Sequence, residues 1–249
     1  MPRTFHHSLI PHYHTMARTG WRGGKSLMMR WCVNPTTSNI ALSVVGNVDN
    51  GAISENADSF SIGADAGGNY CTFLTGDSDG DDCWIGTTSG FYTVRGLSDF
   101  YHMARFALPA AMTNVRFFVG LTPYGNRTLI NNSDNPAANQ LGIQFSSSRD
   151  TNLQFVSSPG DMGGSQTLTD TGVAPATDVI YQLEQEFSSD GTSVRGRLTN
   201  VGTGSVLWGD TTVTATLPAA TTEMSPFIGA KTSTTADATM RFYKHEVWA

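Results

Sequence analysis

The stretch VIYQLEQEFSSDGTSVRGRLTN, residues 179–200, decides the fold class of this chain. Tyr181, Leu183 and Phe187 stand at odd-numbered positions, so an extended chain places all three on one face. Asp190-Gly191 lies between two such runs, and this dipeptide is a strong signal for a β-hairpin turn. The stretch therefore predicts two antiparallel strands that share one apolar face.

Similar short apolar runs, separated by turn residues, fill the chain from about residue 30 onward. In DFYHMARFALP, Phe100, Ala104, Phe106 and Leu108 fall on one face of an extended chain, so we expect a strand there rather than a helix. Only 14% of the residues are charged, against about 25% in an average soluble protein, and this favours an all-β protein with many turns. We expect one antiparallel β-sandwich, a jelly roll, over residues 31–249. The other runs are NIALSVVGNV, FSIGA, YCTFLT, WIGTTSGFYTVRGL, VRFFVGLT, LGIQFSSS, NLQFVSS, GSVLWGDTTVTATLP, PFIGAKT and TMRFYKHEVW.

Residues 1–30 differ from this body and are predicted to form an extended N-terminal anchoring arm. Residues 1–48 hold five basic side chains and no acidic one, whereas the remainder holds ten basic and 21 acidic side chains. Apolar residues without periodicity suggest a segment that orders against a partner, and a disordered tail is the alternative. The basic charge favours an acidic protein surface over nucleic acid, for which five basic residues are few. The residues expected to contact the partner are Phe5, Leu9, Ile10, His12, Tyr13, His14, Arg18, Trp21 and Arg22.

The order of runs from about residue 100 to the end resembles a known family. The run 116–121, RFFVGL, is followed by a polar loop and by 141–145, LGIQF. The hairpin around Asp190-Gly191, the run 226–229, PFIG, and a final alternating strand, 240–248, complete the order. This resembles the concanavalin-A-like lectin/glucanase sandwich that is often found in bacteriophage virion proteins. The resemblance rests on strand order and turn residues, with no catalytic signature.

The resemblance implies a non-enzymatic virion protein, of the capsid decoration, cement or fibre type. Its arm would attach to the major capsid protein or to a tail or portal protein, and its sandwich would face outward on the virion surface. The resemblance also implies assembly with copies of itself, with a trimer favoured, and synthesis in the host cytoplasm. Two alternatives remain, a receptor-binding tail or fibre protein that recognises host glycan, and a polysaccharide depolymerase.

Glycan recognition would use the polar loop PYGNRTLINNSDNPAANQ, residues 123–140, because lectin sites combine an aromatic platform with Asn, Asp and Gly from loops. The same residue types are ordinary turn formers. The residues of this predicted glycan loop are Tyr124, Asn126, Asn131, Asn132 and Asp134.

Depolymerase activity would use Glu184 and Glu186, which lie two apart on a strand and so share a face. The pair matches part of the glucanase pattern E-x-D-x-x-E, but Ser189 stands where the last acid belongs. Hydrolysis of a glycosidic bond needs two carboxylates on either side of that bond. A polar outer face of the sheet is the simpler explanation for both residues.

The segment FLTGDSDGDDCW, residues 73–84, contains the esterase pattern G-x-S-x-G with Ser78 at its centre. That pattern requires a helix after the serine, and the residues that follow read as a strand. His102 or His245 would have to supply the base, and nothing in the sequence places either one. We therefore expect no esterase site.

The same segment spaces Asp77, Asp79 and Asp81 as in a calcium loop. Asp82 stands where an EF-hand has glycine, and Thr88 stands where it has glutamate, so an EF-hand is excluded. A looser calcium site on the three aspartates is a weak alternative to a solvated acidic turn, and no cofactor is expected.

The three cysteines, Cys32, Cys71 and Cys83, show no metal spacing and are expected to be free thiols, although Cys71 and Cys83 could pair across a hairpin. Four histidines lie within residues 6–14, but no ordered geometry makes them a zinc site. No apolar run approaches the ~18 residues of a membrane span, so no membrane partner is expected.

Overall fold

The fold was determined from a computed structural model of the chain. The structure describes residues 27–34, 39–44, 53–56, 59–75, 81–87, 92–93, 101–108, 113–123, 139–159, 167–188, 190–214, 216–218, 222–232 and 238–248. Residues 1–26 of the predicted anchoring arm and residues 124–138 of the polar loop lie outside these ranges.

The described residues form strands connected by turns. The strands are β1 Leu27–Asn34, β2 Asn39–Val44, β3 Ile53–Asn56, β4 Ser59–Asp65, β5 Gly68–Leu74, β6 Asp82–Thr87, β7 Tyr92–Thr93, β8 Tyr101–Ala107, β9 Val115–Thr122, β10 Leu141–Ser146, β11 Gln154–Ser157, β12 Thr167–Asp170, β13 Ile180–Phe187, β14 Val194–Asn200, β15 Val206–Val213, β16 Glu223–Thr232 and β17 Thr239–Trp248.

The strands form two antiparallel sheets. The first sheet has the order β15-β14-β13-β8-β17-β1-β2, and β5 with β4 also joins it through β17. The second sheet has the order β12-β11-β10-β9-β16-β6-β3, and β7 pairs with β16. β17 is long enough to pair with β5 along its first half and with β1 along its second half.

The apolar core lies between the two sheets. Tyr181, Leu183 and Phe187 of β13 belong to it, as do Phe117 and Val119 of β9. Side chains alternate between the faces of a strand, so the residues between these positions lie on the outer faces of the sandwich. The predicted antiparallel all-β fold is confirmed.

The hairpin predicted for residues 179–200 is present. β13 and β14 pair from Tyr181↔Asn200 to Phe187↔Val194. At the turn, the Ser188 amide donates to the Ser193 carbonyl at 3.0 Å, and Gly191 has a positive φ of 64°. Glycine adopts that backbone conformation without steric cost, which explains the Asp-Gly signal.

Two features differ from the expectation. β1 begins at Leu27, so the first residues of the sheet lie inside the range assigned to the arm, and they pair with β17. The acidic segment between β5 and β6 joins a strand of the first sheet to a strand of the second. The two strands are not hydrogen-bonded to each other, so reading this segment as a hairpin was wrong.

Candidate functional site

The two glutamates proposed for hydrolysis lie, as predicted, on the outer face of the first sheet. Glu186 forms an ion pair with Arg195, the residue opposite it on β14. Glu184 is buried and accepts a hydrogen bond from Gln182 Nε2 at 2.7 Å. Both carboxylates are therefore bound by neighbouring side chains of the same sheet.

A third carboxylate, which sequence reasoning missed, lies on the same face. Met103 of β8 pairs with Glu184 on one side and with Glu246 of β17 on the other. Neighbouring strands are about 4.8 Å apart, so the Cα atoms of the two glutamates are about 10 Å apart. Glu246 is fully buried, and Lys244 Nζ lies 3.3 Å from its Oε1. Each of the three carboxylates thus has a donor, and the face is a network of internal pairs.

Arg105 links this network to the β4–β5 turn. Its Nη2 donates to Gln182 Oε1 at 2.9 Å, and its Nη1 donates to the Gly67 carbonyl at 2.9 Å. A Cβ atom at Gly67 would lie 2.8 Å from side-chain atoms of Ile180 and Tyr243, so only glycine lets the turn come this close. Burial lowers the pKa of Arg105, which the nearby Glu246 partly offsets. The turn therefore packs onto the outer face and closes one side of the polar network.

Tyr243 and Asp65 fasten the same turn. The Tyr243 hydroxyl donates to Asp65 Oδ2 at 2.6 Å, and Arg241 Nη1 lies 3.8 Å from the same oxygen. Arg241 also lies over the ring of Tyr70, 4.7 Å from its centroid. Burial, followed by the hydrogen bond to Asp65, raises the pKa of Tyr243. This group supports the fold of the β4–β5 hairpin.

A pair of histidines lies between the sheets. His102 of β8 and His245 of β17 stack with ring centroids 5.2 Å apart, and His102 Nε2 is 3.0 Å from His245 Nδ1. His102 Nδ1 is 2.8 Å from Gln185 Oε1. Both rings are buried, at 0% and 1% exposure, so neither can reach a substrate at the surface.

Burial disfavours the charged form of both histidines. It lowers the pKa of His102 to about 4, and the hydrogen bond that His102 makes to Gln185 Oε1 partly offsets this effect. It also lowers the pKa of His245, and the neighbouring His102 adds to this effect. One consistent tautomer gives each ring a proton on Nδ1, so that His245 donates to His102 and His102 donates to Gln185. Sequence offered one signal, since Gln185 occupies a core-facing position between Leu183 and Phe187.

The outer face of the second sheet carries a small aromatic cluster. The rings of Trp84 and Phe227 stack with centroids 6.0 Å apart, and Phe118 lies 6.3 Å from Phe227. Val156 completes the cluster. Trp84 therefore packs outside the apolar core that lies between the sheets.

The base of the predicted glycan loop shows two buried polar atoms. Residues 124–138 of the loop lie outside the described ranges, but Thr122 ends β9 before the loop, and Asn139, near the end of the loop, precedes β10. Thr122 Oγ1 and Asn139 Oδ1 have no hydrogen-bond partner among the described residues. Leu121 pairs with Leu141, so Thr122 and Asn139 lie close together at one end of the sheet.

The proposed calcium ligands are only partly within the described ranges. Asp77 and Asp79 lie outside them, together with Ser78, whereas Asp81 and Asp82 are half-buried at the start of β6. Among the described residues no group of three His, Cys, Asp or Glu side chains is placed to hold a metal ion. Cys71 and Cys83 are buried, and neither forms a disulfide.

The arm residues from Phe5 to Arg22 also lie outside the described ranges. No helix long and apolar enough to cross a membrane occurs in the part of the chain that the structure describes.

No protein-family model and no curated protein sequence matches the chain. Among solved structures, a protein of unknown function from Shewanella oneidensis MR-1 superposes with a TM-score of 0.58 at 12% identity, over 100% of this chain and 96% of that one. A carbohydrate esterase from the Shiga toxin-encoding bacteriophage phi24B superposes with a TM-score of 0.55 at 12% identity, over 91% of this chain and 99% of that one. Peanut lectin also matches, with a TM-score of 0.49 at 12% identity, over 81% of this chain and 93% of that one.

At this level of identity a structural similarity establishes the fold alone. The fold that the sequence predicted is confirmed: the chain is an all-β, concanavalin-A-like antiparallel sandwich.

Proposed function

We propose that the chain is a non-enzymatic structural protein of a bacteriophage particle, of the capsid decoration or head-fibre kind. The observation that carries the proposal is that the three carboxylates on the outer face of the first sheet are bound by other side chains of the chain. Glu184 is bound to Gln182, Glu186 to Arg195 and Glu246 to Lys244. A glycosidase needs one carboxyl group to protonate the leaving oxygen and another to act as base or nucleophile. Groups held in internal pairs favour a structural role instead.

An esterase of the serine type is disfavoured by the histidines. His102 and His245 are hydrogen-bonded to each other between the sheets and are not exposed. A catalytic base must come within hydrogen-bond reach of the nucleophile that it activates. The similarity to a carbohydrate esterase of phage phi24B is therefore taken as support for a phage source and not for an esterase activity.

The proposed attachment to the particle is through the N-terminal arm. The basic arm binds the major capsid protein, or a tail or portal protein, and the sandwich faces outward on the virion surface. Apolar arm residues such as Phe5, Ile10 and Trp21 provide the buried area, and Arg18 and Arg22 set the orientation on an acidic partner. The protein is made in the host cytoplasm before assembly.

Removal of the arm tests this proposal. A variant lacking residues 1–26 retains β1, which begins at Leu27. We expect it to fold, as checked by its far-ultraviolet circular dichroism, and to fail to join particles that lack the native protein. The full chain added under the same conditions is the matched control. A truncated protein that still joins particles would refute the anchoring role.

Glycan recognition is a second candidate function, and two buried polar atoms at the base of the predicted glycan loop favour it. Thr122 Oγ1 and Asn139 Oδ1 are buried and have no partner among the described residues. A sugar hydroxyl both donates and accepts hydrogen bonds, so it can pair with either atom when glycan binding exposes that atom. Thr122→Val should remove glycan binding at little cost in stability, because the hydroxyl makes no described bond in the free protein. A glycan array without signal at high protein concentration removes this candidate.

Depolymerase activity has its own test. The native protein should release no sugar from a panel of bacterial polysaccharides. If cleavage is detected and Glu184→Gln abolishes it, the non-enzymatic proposal fails.

A further inference from the structure

Three apolar side chains of the first sheet are buried although they point away from the core. Ala104 of β8 and Val247 of β17 belong to the core between the sheets. Side chains alternate along a strand, so Tyr101 and Met103 of β8 and Trp248 of β17 lie on the outer face. They are nevertheless 0%, 0% and 3% exposed. Side chains on an outer face are shielded from water only where another part of the chain covers them, and we call these three residues the Tyr101 patch.

The β4–β5 turn covers the same face at the other end of β8. The Gly67 carbonyl accepts a hydrogen bond from Arg105 Nη1 at 2.9 Å, and the Gly67 backbone packs against Ile180. Ile180 pairs with Ala107, the last residue of β8. Tyr101 is the first residue of that strand, about 20 Å away from Ala107. The cover of the Tyr101 patch therefore comes from another segment.

Residues 1–26 join the described part of the chain directly beside the patch. Leu27, the first residue of β1, pairs with Trp248, and Trp248 pairs with Tyr101 on its other side. Neighbouring strands are about 4.8 Å apart, so Leu27 lies about 10 Å from Tyr101. An extended chain advances about 3.3 Å per residue, so residues 21–26 alone are long enough to cross the patch.

Residues 94–100 also adjoin the patch, because they end at Tyr101. They connect β7, which pairs with β16 of the second sheet, to β8 of the first sheet. The two sheets are about 10 Å apart, so much of the length of this short segment is needed for the connection. Residues 1–26 are therefore the better candidate for the cover.

The composition of residues 1–26 also suits the patch. They hold four basic side chains and no acidic one, whereas residues 27–249 hold 11 basic and 21 acidic side chains, so the arm is attracted to the body of its own chain. The covalent link to β1 gives the arm a high effective concentration at the patch, which favours it over a separate molecule. The apolar side chains available to cover the patch include Phe5, Leu9, Ile10, Tyr13 and Trp21.

We propose that residues 1–26 fold back over the Tyr101 patch in the free protein. The contact removes the apolar side chains of the arm from water together with Tyr101, Met103 and Trp248. The arm then binds no partner until it leaves the patch, so the contact is autoinhibitory. The inference goes beyond the proposed function and does not rest on it, because it concerns the free chain.

Oxidation of Met103 by hydrogen peroxide measures the cover in the full chain. The thioether of a covered methionine reacts only when the cover opens. In a full-length variant whose arm has lost its apolar side chains, Met103 should oxidise at least about 10-fold faster than in the native chain, as followed by peptide mass spectrometry. The substitutions are Phe5→Ser, Leu9→Ser, Ile10→Ser, Tyr13→Ser and Trp21→Ser.

Two controls separate loss of the cover from loss of the fold. Met240 belongs to the core between the sheets and should stay equally protected in both proteins. A second full-length variant, which changes only small polar residues of the arm, should protect Met103 as the native chain does. Continued protection of Met103 in the serine variant, or equal acceleration at Met240, would overturn the proposal. The control substitutions are Thr4→Ala, Ser8→Ala, Thr15→Ala and Thr19→Ala.

Photo-cross-linking of the otherwise native chain locates the arm without disturbing its packing. Benzoylphenylalanine in place of Tyr13 keeps an aromatic side chain in the arm and, when a dilute solution is irradiated, bonds to a neighbouring C–H group. We expect cross-links within one chain to β8 or to the end of β17. Cross-links confined to other strands, or formed only between chains, would overturn the proposal.

Discussion

Acid should destabilise the sandwich through the two histidines between its sheets. The pKa of His102 is lowered from 6.5 to about 4 in the folded protein. In the unfolded chain His102 therefore binds a proton below about pH 6.5, whereas in the folded protein it binds one only near pH 4. The stabilisation is complete above the unfolded value and is lost as the pH falls through the folded one.

The size of the effect follows from the two pKa values. One unit of pKa difference corresponds to about 1.4 kcal/mol, so His102 alone accounts for a loss of about 2 kcal/mol by pH 5 and about 3 kcal/mol by pH 4. His245, whose pKa is also lowered, adds a loss of the same sign. Asp190 adds little to the stability change between pH 7 and pH 5. Hydrogen bonds from Ser188 and Thr192 lower its pKa from 3.8 to about 2, so it titrates below this range.

Urea unfolding followed by tryptophan fluorescence at several pH values between 7 and 5 measures this loss. The matched variant is His102→Gln with His245→Gln, which keeps polar side chains between the sheets but removes both titrating groups. We expect it to be less stable at pH 7 and nearly independent of pH down to 5. The reasoning is refuted if the native protein loses no stability over this range, or if the variant shows the same slope.

Two further predictions concern packing. A Cβ atom at Gly142 would lie 2.3 Å from the Val119 carbonyl oxygen, so Gly142→Ala should cost about 1–3 kcal/mol in urea unfolding. Gly202→Ala, whose added Cβ has only Asn200 Oδ1 at 3.4 Å, should stay within about 0.5 kcal/mol of the native protein, and equal losses would contradict this account. Burial raises the pKa of Cys83 to about 12, so the thiols of Cys83 and buried Cys71 should resist iodoacetamide until the protein unfolds. Mass spectrometry checks this, and rapid labelling of either thiol in the native state would count against it.

Sequence patterns predicted faces of strands well. Alternation in residues 179–200 placed Leu183 inward and Glu184 outward, and Asp190-Gly191 fixed the turn between the strands. These features are local, since a strand has a period of two and a tight turn needs particular residues. The expectation that DFYHMARFALP, residues 99–109, forms a strand was confirmed over β8, where Ala104 and Phe106 hold inward positions, whereas Phe100 lies outside the described residues.

Neighbours in space were harder to predict. His102 and His245 are 143 residues apart and meet only because β8 and β17 are adjacent. Alternation tells which face a residue occupies, but not which strand lies beside it. For the same reason, the sequence did not show that Glu246 lies on the same face as Glu184, two strands away. It also led to the wrong hairpin between β5 and β6, since two consecutive strands can belong to different sheets.

The central claim, that this chain is a structural component of a phage particle, is tested most directly by the protein content of purified particles. Quantitative mass spectrometry of particles washed in high salt should find this chain in several copies per particle. A chain that stays in the lysate while the washed particles contain none would contradict the account.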